Sequence, residues 1–154
     1  VDGIERSLDA FQQLCRAGGI PMAGDLDHNW LLPSATGAAR PACLAPESMI
    51  AGDMRRSEPI LIIGFNGYQD FYPEWIAANL ARQGIPANSL WVDVAGLKSK
   101  SLITSRVLAE AFDRPGFVDE VVEAVLSALH KQAHLAAPRI GFPAVLGLRH
   151  HSKV

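Results

Sequence analysis

The sequence predicts an α/β fold: a small Rossmann-like parallel sheet with helices on both faces, preceded by an N-terminal helix and an irregular β-rich segment. Three observations carry this expectation. Residues 60–65 form an apolar run, Ile60-Leu61-Ile62-Ile63-Gly64-Phe65, without polar alternation, as expected of a strand buried on both faces. Strand-like and helix-like stretches then alternate, which is the order of parallel pairing with helical crossovers. Upstream, Pro21, Pro33, Pro41 and Pro46 interrupt every possible long helix.

The elements follow in chain order. Ile4, Leu8, Phe11 and Leu14 recur at helical spacing among Glu5, Arg6, Asp9, Gln12 and Gln13, and the pattern stops at Gly18-Gly19, so one amphipathic helix opens the chain. From Ile20 to Glu58 the period vanishes, and Trp30-Leu31-Leu32 and Ala42-Cys43-Leu44 read as short extended pieces. After the strand at 60–65, Asp70 and Pro73 can cap and start a helix carrying Trp75, Ile76 and Leu80, with Gly84 as its stop. Residues 90–94 read as a second strand. Leu102, Ile103, Val107, Leu108 and Phe112 mark a helix closed near Pro115-Gly116, and Phe117, Val118, Val121, Val122, Val125, Leu126 and Leu129 mark another. Residues 140–148, broken by Pro143, are the expected third strand.

With 154 residues the chain has the length of one domain, with residues 1–58 as its helix and β-rich part and 59–154 as its α/β unit, joined around 52–58. It starts at Val1 without an initiator Met and ends on His150-His151-Ser152-Lys153-Val154, which reads as a domain excised from a larger protein. Charged residues are 19% of the sequence against about 25% in average proteins, so part of the surface is expected to be covered by a neighbour. A net charge of −2 with no basic stripe argues against nucleic acid and anionic membrane surfaces as partners. The longest apolar run is far shorter than the ~20 residues that cross a bilayer, so no direct membrane insertion is expected. Cys15 and Cys43 are too few for a disulfide framework or a four-ligand zinc site, and a cytoplasmic, reducing location follows as the default.

Few residues offer chemistry. Gly64, Asn66 and Gly67 after the first apolar strand form a candidate anion loop, because backbone N–H groups at the carboxyl end of a parallel strand can face an anion. The stretch lacks the third glycine of a dinucleotide fingerprint and the Lys-Ser/Thr of a P-loop, Asp70 would repel an anion there, and an ordinary strand-to-helix turn accounts for it better. His130 and His134 lie four apart on one helix without a zincin Glu or a third ligand, so no metal site is expected. Asp25-Leu26-Asp27-His28-Asn29-Trp30 gathers polar groups in a loop, readable as a site or as an Asx turn with Trp30 as a core anchor. Cys15 has no base or cation nearby to activate it. No acid, base and nucleophile set assembles, and no catalytic residue is assigned.

Three blocks in order resemble a known family: Asn29-Trp30-Leu31-Leu32-Pro33 through Thr36, Gly37 and Arg40-Pro41 to Ala45-Pro46; Ile62-Ile63-Gly64-Phe65-Asn66-Gly67 with Asp70-Phe71; and Leu108-Ala109 with Phe112-Asp113. Together they resemble the middle of the B subunit of anaerobic glycerol-3-phosphate dehydrogenase, a flavoprotein-like chain. The resemblance implies a parent that oxidises glycerol 3-phosphate to dihydroxyacetone phosphate with FAD and passes electrons to quinone. The Gly-x-Gly-x-x-Gly unit that holds the flavin in that family is absent here. The resemblance therefore implies an inserted cap domain with no cofactor of its own, inactive in isolation. Its partners would be the flavin-binding halves of the parent and other dehydrogenase subunits, which would also make it peripheral to the membrane. The alternative is a non-catalytic module for subunit assembly. Asn29, Trp30, Thr36 and Arg40 are the expected contacts to substrate or to the flavin-binding domain. Arg40 is the local cation suited to phosphate; the competing reading pairs it with Glu47 or Asp53.

Overall fold

The computed structural model describes residues 2–98, 102–135 and 137–145. Helix α1 spans Asp2–Ala17, as its period predicts. Strands β1 (Met22–Gly24), β2 (Trp30–Pro33), β3 (Ala39–Ala42) and β4 (Leu44–Pro46) and the one-turn helix α2 (Glu47–Ile50) make up the β-rich segment. β1 pairs antiparallel with β4, and β2 with β3, as two separate two-stranded ribbons. The α/β unit follows: β5 (Ile60–Phe65), α3 (Pro73–Arg82), β6 (Ala87–Val92), α4 (Ser105–Phe112), α5 (Phe117–Lys131) and β7 (Arg139–Gly141).

β5 is buried at every position and lies in the middle of a three-stranded sheet of order β6-β5-β7, parallel to both neighbours. Its two faces meet different helices. A Cβ at Gly64 would stand 2.7 Å from the Pro73 ring, so α3 rests on the Gly64 face. Phe65, on the opposite face, packs edge-on against Phe112 of α4, which packs in turn against Phe117 of α5. The chain moves from β5 to β6 in one direction across the sheet and from β6 to β7 in the other. Two crossovers of the usual right hand moving in opposite directions must use opposite faces, and they do.

Several boundaries differ from the sequence expectation for local reasons. The second strand runs over 87–92 rather than 90–94, because Ile60 pairs with Ala87 and the register carries Ala87, Asn88 and Ser89 into the ladder. Asp70 does not cap α3; Tyr72 precedes it, with Pro73 at the first position, and the Asp70 carboxylate instead accepts from Ser105. Trp75 does not enter the core: it is 71% exposed and stacks on Tyr72 at 5.2 Å. α4 begins at Ser105, where the Thr104 side chain accepts from the Val107 N–H; Ile103 ahead of it bridges to Tyr68. The third strand occupies 139–141, and residues 146–148 of the expected run lie outside the described residues.

One apolar cluster runs from Met54 through β5, α3, β6, α4 and α5, with Leu61, Ile63, Leu80, Leu108 and Phe117 sealed from solvent. The amphipathic pattern of α1 is real, yet its apolar stripe is open, with Leu14 71% exposed beside exposed Ile4 and Phe11. The described residues contain no helix long and apolar enough to cross a membrane.

Candidate functional site

The β-rich segment is tied to the α/β unit by side chains of the latter that reach its carbonyl oxygens. The turn between β2 and β3 rests on α3, where Asn79 Nδ2 donates to the Thr36 carbonyl (2.8 Å) and Gln83 Nε2 to the Gly37 carbonyl (2.8 Å). Gly37 adopts φ +75, and a Cβ there would stand 2.6 Å from the Ile76 carbonyl, so this close approach needs glycine. At the other end, the Met54 N–H donates to the Leu31 carbonyl (2.8 Å).

Arg139, first residue of β7 and 5% exposed, holds the connection at residues 51–58. Its guanidinium donates to the carbonyls of Asp53 (2.9 Å), Ala51 (3.3 Å), Arg56 (3.3 Å) and Glu58. Burial pulls the Arg139 pKa down, with the nearby Glu58 charge opposing. Asp53, also buried, pairs with Arg55, whose hydrogen bonds hold the Asp53 carboxyl below its usual range. Glu58 is lowered likewise by Arg56.

These ties leave a cavity of about 320 Å³ between the β-rich segment and the carboxyl ends of β5 and β7. Leu32, Pro33 and Ser34 come from the β2 end of the hairpin, Ser48 and Met49 from α2, and Ile62 from β5. Tyr68, Asp70 and Phe71 come from the loop after β5, Ile76 from α3, and Phe142 and Pro143 from the chain after β7. The position follows from the topology. β5 hands its chain to β6 on one side, whereas β7 on the other side receives the opposite crossover, so the adjoining carboxyl ends of β5 and β7 are the switch point where open α/β sheets hold ligands. The loop is braced at this point: Ser105 Oγ donates to Asp70 Oδ2 (2.8 Å) and stands 3.0 Å from the Tyr68 hydroxyl.

The residues singled out from the sequence fall in different places. Trp30 is half-buried, and its indole N–H donates to the Ala23 carbonyl (3.1 Å), fastening β2 to β1. Asn29 is exposed. Thr36 Oγ1 lies 3.0 Å from Ser34 Oγ within the hairpin turn. Arg40 stands across from Leu32 in the β2–β3 ladder, exposed and outside the cavity wall. It forms no hydrogen bond or ion pair with Glu47 or Asp53, which removes the pairing weighed against a ligand role. Asp25 accepts from the Asp27 and His28 N–H groups (2.9 and 2.8 Å), the Asx turn expected as one reading, and the His28 N–H lowers its pKa.

In the glycine loop, the N–H groups of Asn66, Tyr68 and Gln69 donate to the carbonyls of Val92, Phe65 and Ile103 at 3.0, 3.0 and 3.4 Å, and the Asn66 amide donates to Asp93 (2.9 Å). Gly67 turns the chain at φ +87. With those N–H groups spent and α3 opening on Pro73, which has no N–H, the strand-turn-helix at 60–82 does not fit a flavin pyrophosphate. His130 and His134 do not share a helix, since α5 stops at Lys131 and His134 lies in a separate turn at Ala133–Leu135, and among the described residues no three His, Cys, Asp or Glu side chains are grouped to hold a metal. Cys15 is half-buried and Cys43 exposed, both as free thiols. His150 and His151 lie outside the described residues.

Arg139, Asn79, Gln83 and the cavity were not foreseen. Arg139 carries one faint signal, a cation at the mouth of an apolar run; Asn79 and Gln83 carry none, since their partners are 43 and 46 positions away.

No family model matches the sequence, and no solved structure matches it significantly. Several curated proteins are similar to it. A protein of Halobacterium salinarum, named as a probable B subunit of anaerobic glycerol-3-phosphate dehydrogenase, is 29% identical over 132 residues, which is 79% of this chain and 30% of that protein. The anaerobic glycerol-3-phosphate dehydrogenase B subunit of Mannheimia succiniciproducens is 27% identical over 151 residues, 88% of this chain and 35% of that protein. The protein of the same name from Pasteurella multocida is 31% identical over 84 residues, 53% of this chain and 20% of that protein. This chain is thus similar, over most of its own length, to about a third of proteins named as the B subunit of anaerobic glycerol-3-phosphate dehydrogenase.

Proposed function

We propose that this chain is the inserted cap of an FAD-dependent oxidoreductase related to anaerobic glycerol-3-phosphate dehydrogenase, shaping the substrate side of a flavin cleft built by other parts of a longer protein. The observation that supports this reading most is the similarity to the B subunits of three organisms, in each of which the matched part is a minority of the length. In this reading the hairpin bearing Asn29, Trp30, Thr36 and Arg40 faces the rest of the parent. Arg40 is exposed and unengaged among the described residues, and its planar fork suits a substrate phosphate. The reaction is oxidation of glycerol 3-phosphate to dihydroxyacetone phosphate, with electrons leaving to quinone through partner subunits at the membrane. Arg40→Ala in the longer protein tests it: a rise of tenfold or more in KM for glycerol 3-phosphate at unchanged Tm is expected, and unchanged kinetics would remove Arg40 from the substrate side.

A second reading, a module for subunit assembly, is favoured by one observation. Val118, Val122 and Leu126 recur every fourth residue along α5 with about half of each side chain open to solvent, a stripe of the kind that partners cover. Val122→Lys in the longer protein separates the two: lost association with partner subunits at normal glycerol 3-phosphate oxidation favours assembly.

A further inference from the structure

The cavity at the switch point has a chemistry of its own. Its volume lies near the low end of the ~300–1,000 Å³ typical of small-molecule sites. Leu32, Ile62, Phe71, Ile76 and Phe142 supply an apolar wall, and Leu32, Ile62 and Ile76 are nearly sealed from solvent, so the floor is set by the packed core. The polar groups in the wall are the hydroxyls of Ser34, Ser48 and Tyr68 and the carboxylate of Asp70. Among the described residues no Lys, Arg or His lines it. The Asp70 side chain is held by Ser105, whose hydroxyl and N–H both donate to Oδ2, and neither bond uses Oδ1. Among the described residues an anion placed here would meet the Asp70 carboxylate and no counter-charge, whereas an amine or hydroxyl would meet acceptors. Arg40, the cation suited to phosphate, lies outside this wall.

We propose that this cavity is a binding site for a small uncharged or cationic molecule, with an apolar body seated on Leu32, Ile62 and Phe71 and a hydrogen-bond-donating end directed to Asp70, and that it excludes phosphates and carboxylates. The site is therefore distinct from any that would hold glycerol 3-phosphate, and it stands whether or not the chain serves a dehydrogenase.

Three probes with one ring and different charge test it: tryptamine, indole and indole-3-acetate, titrated into the purified protein at neutral pH and followed by amide chemical shifts. Saturable shifts from tryptamine and indole, centred on Ser34, Ser48, Tyr68, Asp70 and residues 141–144, are expected. Tryptamine should bind about tenfold more tightly than indole-3-acetate, since the carboxylate attracts one and repels the other. Asp70→Asn should erase that difference and leave indole unchanged. The series on the unaltered protein decides the matter even if that variant folds poorly. The proposal is overturned if neither tryptamine nor indole saturates, if indole-3-acetate binds as tightly as tryptamine, or if the shifts map to the open stripe of α5.

Discussion

The α/β unit and the β-rich segment ahead of it are held by different forces. Strand β5 and the helices around it are fixed by apolar side chains at regular spacing, closed into one core. The ribbons at 22–46 and the connection at 51–58 add only single buried apolar side chains, Leu32, Ala45 and Met54; their backbone is held by Trp30 and by Asn79, Gln83 and Arg139, the last three donating to main-chain carbonyls from elements elsewhere in the fold. The contrast teaches that the cavity has one wall built by packing and another built by a few long-range hydrogen bonds. The second wall is the one that single polar substitutions should move.

The largest effect is expected from the packed wall. Phe65→Ala removes the ring that touches both Phe112 and Phe142 and should cost about 3–5 kcal/mol, read as a global loss of stability in urea unfolding. A loss confined to the β-rich segment would break the contrast. Arg139→Met comes next. It strands the buried Asp53 carbonyl and the part-buried carbonyls of Ala51, Arg56 and Glu58 and should cost about 3 kcal/mol, with hydrogen-exchange protection lost at the Met54 and Arg56 amides before β5 opens. Arg139→Lys should not restore it, because one ammonium cannot span four carbonyls.

Smaller effects sharpen the comparison. Asn79→Ala and Gln83→Ala should each cost about 1 kcal/mol and loosen the Ser34–Ala38 turn, visible as faster exchange of the Gly37 amide with β5 protection unchanged. The smallest concerns pH. The folded Asp53 pKa is depressed, mainly by its hydrogen bonds from Arg55, so its contribution is present above the ordinary Asp value near 4 and is lost as pH falls through the lower folded value. The Tm gap between the protein and its Asp53→Asn variant should therefore be constant from pH 8 to 6 and shrink below about pH 4.

The same contrast explains what was legible in the sequence. β5, α3 and α5 declare themselves because burial imposes a period on residues close in the chain, and the parallel pairing of 60–65 with both neighbours follows from the uniform apolarity of 60–65 and from the helical crossovers between the strands. The start of β6 at Ala87 was not legible, since Asn88 and Ser89 join the ladder through register rather than hydrophobicity. Trp75 and Leu14 show the converse: apolar residues at helical spacing that the described fold leaves open. The cavity was hidden for the reason Asn79 and Gln83 were. Its walls come from positions 32 to 144, and only the topology brings Leu32 and Phe142 to the same place.

The most direct test of the proposed role is the visible spectrum of two purified samples, this chain alone and the longer protein in which the proposal places it, each before and after anaerobic addition of glycerol 3-phosphate. The longer protein should carry about one flavin per chain and bleach on addition of the substrate, while this chain alone stays colourless. A longer protein without flavin, or one whose flavin is indifferent to glycerol 3-phosphate, would contradict the reading of this chain as a cap over a flavin cleft.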